Sequence, residues 1–222
     1  MPRVSRAEAE RSRSRVIDHT ARLIREKGTG QVSVPEAMAA AGLTHGGFYR
    51  HFASKDDLLA QALAAAFTER REAMEQLAGQ PPAGHTPRDE FLDRYLSPLH
   101  RDHPGHGCAA AALAADAART EPGSPLRTAY TTGLRELLDA LAALPDGAAL
   151  PDGALPDGAA LPDGPALPDG AARQDTLADL STMVGALLLA RASDDDTLSA
   201  ELLTAARHRL TAARADNGRA PA

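Results

Sequence analysis

Thr44 to Lys55 reads Thr-His-Gly-Gly-Phe-Tyr-Arg-His-Phe-Ala-Ser-Lys and packs hydrogen-bonding side chains densely at His45, Tyr49, Arg50, His51 and Lys55. An arginine that faces a DNA major groove binds guanine through paired contacts to its N7 and O6, which makes Arg50 a candidate reader of bases. Gly46 and Gly47 each disfavour a helix by ~1 kcal/mol relative to alanine. In an interface they let the backbone approach bases or sugars. The alternative is that Gly46 permits tight packing and Gly47 is tolerated. A second cluster holds His100, His103, His106 and Cys108. His100 and His103 share a helix face, but no carboxylate is placed to orient them and Pro104-Gly105 indicates a loop, so no metal site is expected. Cys108 falls near a helix start, where a thiolate is favoured; a buried structural thiol is the alternative. The sequence has no glycine-rich phosphate loop between strand and helix, no nucleophile elbow and no zinc-protease motif, so no catalytic residue and no cofactor is expected.

The elements around the first cluster are short helices. Ser33 caps one that runs to Ala40, with Pro35 in its first turn, where a missing N–H does no harm. Gly42 ends it by taking left-handed backbone angles. Thr44 is placed to cap a helix of about two turns over His45–His51. Ser54 caps the next helix, with Asp57 three residues on completing a box. Two short helices joined by a glycine-containing turn form a helix-turn-helix, whose second helix enters the major groove.

The run Ser33-Val34, Ala41-Gly42-Leu43-Thr44, Gly46, Phe48-Tyr49, His51-Phe52 and Ser54-Lys55 with Leu58 resembles the DNA-binding domain of TetR-family transcriptional regulators. The resemblance covers roughly residues 11 to 60. It implies that Tyr49, His51 and Lys55 contact phosphates and that Thr44, His45, Gly47 and Arg50 face bases, with Ser33 and Gly46 in the same interface. Many relatives have lysine where this chain has His45. It further implies double-stranded DNA and a small-molecule effector as partners, a homodimer paired through the last two helices, and repression relieved when the effector binds.

The rest of the chain reads as a helical body. A first helix over Ala7–Lys27 turns Val16, Thr20, Leu23 and Ile24 toward Val34, Met38, Leu43 and Phe48. Arg11, Arg13 and Arg15 near its start either meet phosphate or are solvated, and Arg3 and Arg6 precede it as a tail or a groove-touching arm. A helix over Lys55–Ala78 passes from head to body and can carry motion between them. Its buried side is Leu58, Leu59, Ala62, Leu63, Ala66, Phe67 and Met74. A helix over Pro87–His103, kinked at Pro98, has Phe91, Leu92, Tyr95, Leu96 and Leu99 inward. An alanine-rich helix follows Cys108, and another over Ser124–Leu144 carries Leu126, Tyr130, Leu134, Leu137, Leu138 and Leu141. Small side chains opposite Phe91, Tyr95, Leu99, Tyr130 and Leu134, with Cys108 adjoining, suit a pocket for a small apolar effector. Sensing of oxidants or electrophiles through Cys108 is the alternative.

Leu-Pro-Asp-Gly occurs at Leu144, Leu150, Leu155, Leu161 and Leu167. Recurrent proline forbids a helix, so residues 145–171 are expected to form a flexible insert. Two further helices follow, over residues 173–191 and 197–213. Leu177, Leu180, Val184, Leu187, Leu188 and Arg191 form a stripe on one, and Leu198, Leu202, Leu203, Ala206 and Leu210 on the other. Residues beyond Arg214 are expected to be disordered.

Composition agrees with an all-α fold: a helix-turn-helix head over residues 1–54 and a body of about six helices over 55–222. The 222 residues include no tryptophan, and aromatics are 3%. Residues 1–60 carry ten Lys and Arg against seven Asp and Glu, a net +3, whereas the remainder is −9, so the basic charge sits on the head. DNA affinity comes from the phosphates actually neutralised, so a net charge of −6 is compatible with it. A single cysteine, no apolar leader and no long apolar run point to a reducing cytoplasm with no membrane span.

Overall fold

A computed structural model describes residues 6–79, 84–145 and 170–217. Every regular element among them is helical. In chain order these are α1 (Arg6–Lys27), α2 (Val34–Ala40), a 3-10 turn (His45–Arg50), α3 (Lys55–Gly79), α4 (Pro87–Tyr95), α5 (Pro98–Asp102) and a second 3-10 turn (Pro104–His106). Then follow α6 (Ala109–Arg119), α7 (Pro125–Ala143), α8 (Ala171–Ala192) and α9 (Asp196–Asn217). The chain divides into two compact units, Met1–Arg70 with His103–Leu134 and Arg71–Asp102 with Arg135–Ala222.

In the first unit, α1 ends where Gly28 takes φ +81°, a region costly for any residue with a Cβ. Its face places Val16, Thr20 and Ile24 fully inside, with Met38, Phe48, Phe52, Leu58 and Leu63 buried in the same unit. Each large side chain so buried contributes about 1.5–3 kcal/mol. All seven residues expected on the buried side of α3 are buried. Arg25 is also buried, yet its guanidinium is satisfied: it donates to the Ala21 carbonyl, to Gly107 O at 3.4 Å and to Glu69 Oε2 at 2.8 Å. Gly105 lies against α1 so closely that a Cβ there would stand 2.4 Å from Glu26 Oε1. On α7, a Cβ at Gly133 would stand 2.2 Å from Phe67 Cδ2, so this glycine admits the phenyl ring.

In the second unit, the helix expected over Pro87–His103 is two helices. Leu96 leaves helical angles at φ −93°, ψ 47°, and α5 restarts at Pro98. Proline disfavours helical angles in the residue before it but suits a first turn, and Ser97 Oγ accepts from His100 N at 3.2 Å to cap the new helix. Pro98 thus starts a helix rather than kinking one, and Leu99 comes out 71% exposed instead of inward. Arg191 does not belong to an apolar stripe: it donates to the carbonyls of His100 and Arg101 at 2.7 and 3.1 Å, satisfying the open end of α5. Arg88 and Asp179 form a buried ion pair joining α4 to α8. Burial outweighs the guanidinium's pull and raises the Asp179 carboxyl, and the same burial lowers Arg88.

The single apolar stripe expected on α8 is split by the fold. Leu180, Met183 and Leu187 are buried, while Leu177, Leu188 and Leu189 are exposed. On α9, Leu203, Ala206 and Leu210 face inward and Leu198 is exposed. Asp195 is the carboxylate that caps α9, accepting from Thr197 N and Leu198 N at 2.8 and 3.1 Å. The helix continues to Asn217, past the expected end at Arg214. Leu144, first residue of the Leu-Pro-Asp-Gly repeats, is buried and Pro145 is exposed. At its far end the expected insert is corrected, since Gly170 caps α8 and Ala171 is already helical; residues 146–169 lie outside the described residues, as do Arg3 of the expected N-terminal arm and residues 218–222.

Candidate nucleic-acid interface

Local devices fix the segment from Ser33 to Leu58. Ser33 Oγ accepts from Glu36 N at 3.3 Å, and Pro35 sits in the first turn of α2. The exit of α2 is a Schellman motif: Leu43 N–H bonds to Met38 O and Gly42 N–H to Ala39 O, both at 2.9 Å, with Gly42 at φ +73°. At the start of α3, Ser54 caps the helix and the Asp57 carboxylate reaches back to the residue before the cap. Ser54 Oγ accepts from Asp57 N at 3.0 Å, and Asp57 Oδ2 accepts from Ala53 N at 3.0 Å. That backbone bond, aided by the Gln61 amide, holds the Asp57 carboxyl below its ordinary value.

Between these fixed ends the recognition segment is a 3-10 turn, not the two-turn α-helix expected. Gly47 N–H bonds to Thr44 O at 3.1 Å and His51 N–H to Phe48 O at 2.9 Å, an i to i+3 pattern. Thr44 holds the cap position, but contrary to expectation its side chain makes no capping bond, since the tighter winding commits the Gly47 N–H to the Thr44 carbonyl. Phe48 anchors the turn, 1% exposed and 5.5 Å from the Phe52 ring. Tyr49 stands edge-on to Phe48 at 5.1 Å and is 80% exposed. Thr44, His45, Gly46 and Arg50 are also exposed, and His51 and Lys55 are half-buried beside them. A Cβ at Gly46 would meet nothing within 4 Å, and one at Gly47 would meet only Met38 Cε at 3.8 Å. Internal packing therefore requires neither glycine.

The arginines of α1 divide by role. Arg13 donates to Gln61, pairs with Glu10 at 3.6 Å and lies 5.6 Å over the Phe52 ring, so it braces the unit. Arg11 and Arg15 are exposed on the same helix. Lys27 and Glu36 pair between α1 and α2, and this ammonium holds the Glu36 carboxyl below its ordinary value. A contact that no sequence pattern signals joins Thr29 to Asp116 of α6: Thr29 N and Oγ1 both donate to Asp116 Oδ2, at 2.6 and 2.9 Å. No spacing rule links residues so far apart.

The residues expected to line an effector pocket fall in both units. Phe91, Tyr95 and Leu99 belong to the second, with ring centroids of Phe91 and Tyr95 5.7 Å apart. Cys108, Tyr130 and Leu134 belong to the first. Tyr130 donates to Ala110 O at 3.0 Å and stands edge-on to Phe67 at 5.8 Å. Its burial, with Cys108 beside it, pushes the phenol up to about 12. Cys108 is the N-cap residue of α6 and is buried. His100 Nδ1 donates to Tyr95 O at 2.7 Å. Among the described residues no group of three or more His, Cys, Asp or Glu is disposed to hold a metal ion, and no helix is long and apolar enough to cross a membrane.

Residues 16–62 match the model of the tetR family of bacterial regulatory proteins. The chain is 36% identical over 61 residues to the HTH-type transcriptional regulator AcrR of Shigella flexneri, a match spanning 28% of this chain and 28% of that relative. Similar solved structures include a TetR transcriptional regulator from Chloroflexus aurantiacus (TM-score 0.63, 26% identity, covering 92% of this chain and 96% of that one). The regulator FadR of Bacillus subtilis, solved with stearoyl-CoA, is similar in fold at TM-score 0.54 and 17% identity, covering 87% of this chain and 96% of that one. The head motif over residues 16–62 is thus that of the tetR family of bacterial regulatory proteins, and the helical fold around it is similar to that of solved regulators of this family.

Proposed function

We propose that the chain is a cytoplasmic, DNA-binding transcriptional repressor that leaves a two-fold symmetric operator when a small apolar effector binds. In this reading residues 1–54 read DNA, and residues 55–222 hold the effector and pair two copies. The observation that carries it is the recognition turn. Phe48 is buried as its anchor, while Tyr49, His45 and Arg50 stand exposed around two glycines that internal packing does not require. A turn so arranged can bring its backbone and its donors against a groove. Pairing of two copies through α8 and α9 is supported by Leu177, Leu188, Leu189 and Leu198, large apolar side chains left exposed on those helices. An apolar effector is supported by the neighbouring aromatic side chains of Phe91 and Tyr95 in the second unit and by the fold shared with FadR. The thiol-sensing alternative rests on the place of Cys108 at the N-cap of α6 and is opposed by its burial.

Footprinting on the DNA upstream of the coding sequence tests the reading. A protected two-fold symmetric site is expected, with affinity falling steeply as salt rises. Lys55→Ala should weaken binding to all duplexes, whereas His45→Ala should change base preference. Equal affinity for random and selected duplexes at physiological salt refutes sequence-specific regulation. Apolar compounds should release the DNA from wild type and from Cys108→Ser alike; a response lost in Cys108→Ser alone establishes thiol sensing instead.

A further inference from the structure

We propose that Asp116 is a positioning residue for DNA reading: from α6 it sets the joint between α1 and α2 on which the recognition turn is mounted. The inference rests on the DNA-binding reading above. One carboxylate oxygen of Asp116 accepts both the backbone N–H and the hydroxyl of Thr29, at 2.6 and 2.9 Å. Charge-assisted bonds of this kind are the stronger class. The approach is close because the preceding residue is Gly28: a Cβ there would stand 3.1 Å from Asp116 Oδ2, and its φ of +81° already favours glycine. Thr29 lies in the short connection between Lys27, last residue of α1, and Ser33, the cap of α2.

Everything beyond that connection is tied together. Lys27 pairs with Glu36 in the first turn of α2. The Schellman bond from Leu43 N to Met38 O joins α2 to the recognition turn at 2.9 Å. A shift at Thr29 is therefore passed to the turn as a movement of one small body. On the other side, the segment leading into α6 is fastened to the same end of α1 and to α3. Arg25 reaches Gly107 O and Glu69, Arg70 Nη2 donates to His106 O at 3.2 Å, and Gly105 lies flush against Glu26. Asp116 extends this grip past the end of α1 to the one connection that orients α2.

The test uses the full chain and a duplex that wild type selects from a random pool. Affinity, thermal melting and amide hydrogen exchange at Thr29 are measured for wild type, Asp116→Ala, Asp116→Asn, Thr29→Ser, Thr29→Val and the double variant Asp116→Ala/Thr29→Val. Asp116→Ala is expected to lower affinity roughly tenfold, the scale of one lost charge-assisted bond, without a matching fall in melting temperature. It should also speed exchange at the Thr29 amide. Thr29→Ser keeps the hydroxyl and should bind as wild type does. The double variant should bind no worse than Asp116→Ala, because both changes remove one contact. Asp116→Asn keeps an acceptor without the charge and should fall between, which preserves the test if the alanine variant folds poorly. Unchanged affinity in both Asp116 variants, or losses that add in the double variant, overturns the proposal while leaving DNA binding intact. A wild-type chain that selects no duplex overturns the DNA-binding reading and this inference with it.

Discussion

Gly46 and Gly133 are the same residue in opposite surroundings. Around Gly46 nothing lies within 4 Å of where a Cβ would stand, and around Gly133 the Phe67 ring would be struck at 2.2 Å. Internal contacts thus account for one glycine and not for the other. The recognition turn as a whole repeats this contrast with the helical interior. It has one buried anchor, Phe48, and an exposed outer face, whereas the interior is joined by contacts such as Arg88–Asp179 and Phe67–Gly133 that leave no freedom of choice. Where a costly residue has no internal reason, the reason lies in what the surface meets.

The contrast predicts that interior substitutions cost stability and that turn substitutions cost DNA binding. The largest effect is expected at the buried ion pair. Arg88→Met strands a buried carboxylate and should destabilise the chain by about 3–5 kcal/mol in urea unfolding, with Arg88→Met/Asp179→Leu recovering most of it. If the single variant loses less than the double, the pair is not the constraint its burial implies. Gly133→Ala comes next. It forces Phe67 or α7 to move, and overpacking of this kind costs about 1–3 kcal/mol; a melting curve matching wild type would show that the ring relaxes freely. The smallest effect on stability, and opposite in sign, belongs to Gly47→Ala. A methyl there meets only Met38 at 3.8 Å, so a gain of about 0.5–1 kcal/mol is expected from helix propensity and a less flexible unfolded chain. Its affinity for a selected duplex should fall at the same time. A variant that is both more stable and equally good at binding would erase the distinction between the two glycines.

Much of this arrangement was legible in the sequence because it is local. Ser33 with Pro35, Gly42 and Ser54 with Asp57 are signals whose partners lie within a few residues, and each forms the bond its spacing implies. The buried side of α3 was legible for the same reason, since a helical period is a property of one element. The misreadings share a cause as well. Pro98 inside a run of helix formers reads as a kink, but Ser97 next to it supplied the cap for a new helix. Thr44 has the right type for a cap, yet the glycines after it allow a 3-10 winding that leaves its hydroxyl unused. On α8 the period identified apolar positions without saying which side of the stripe meets the core, so Leu187 and Leu188 read alike and differ in the fold. Thr29 and Asp116 were illegible altogether, because a contact between distant segments leaves no pattern in either one.

The burial of Cys108, the chain's one cysteine, makes the protein convenient for spectroscopy. A cysteine introduced at Tyr49, an exposed position of the turn, supplies an accessible thiol with no accessible competitor among the native residues. A spin or fluorescent label placed there attaches once per chain. In an assembly of two copies the labels form a single pair, whose separation is a ruler for the distance between the two reading surfaces, with and without a compound bound.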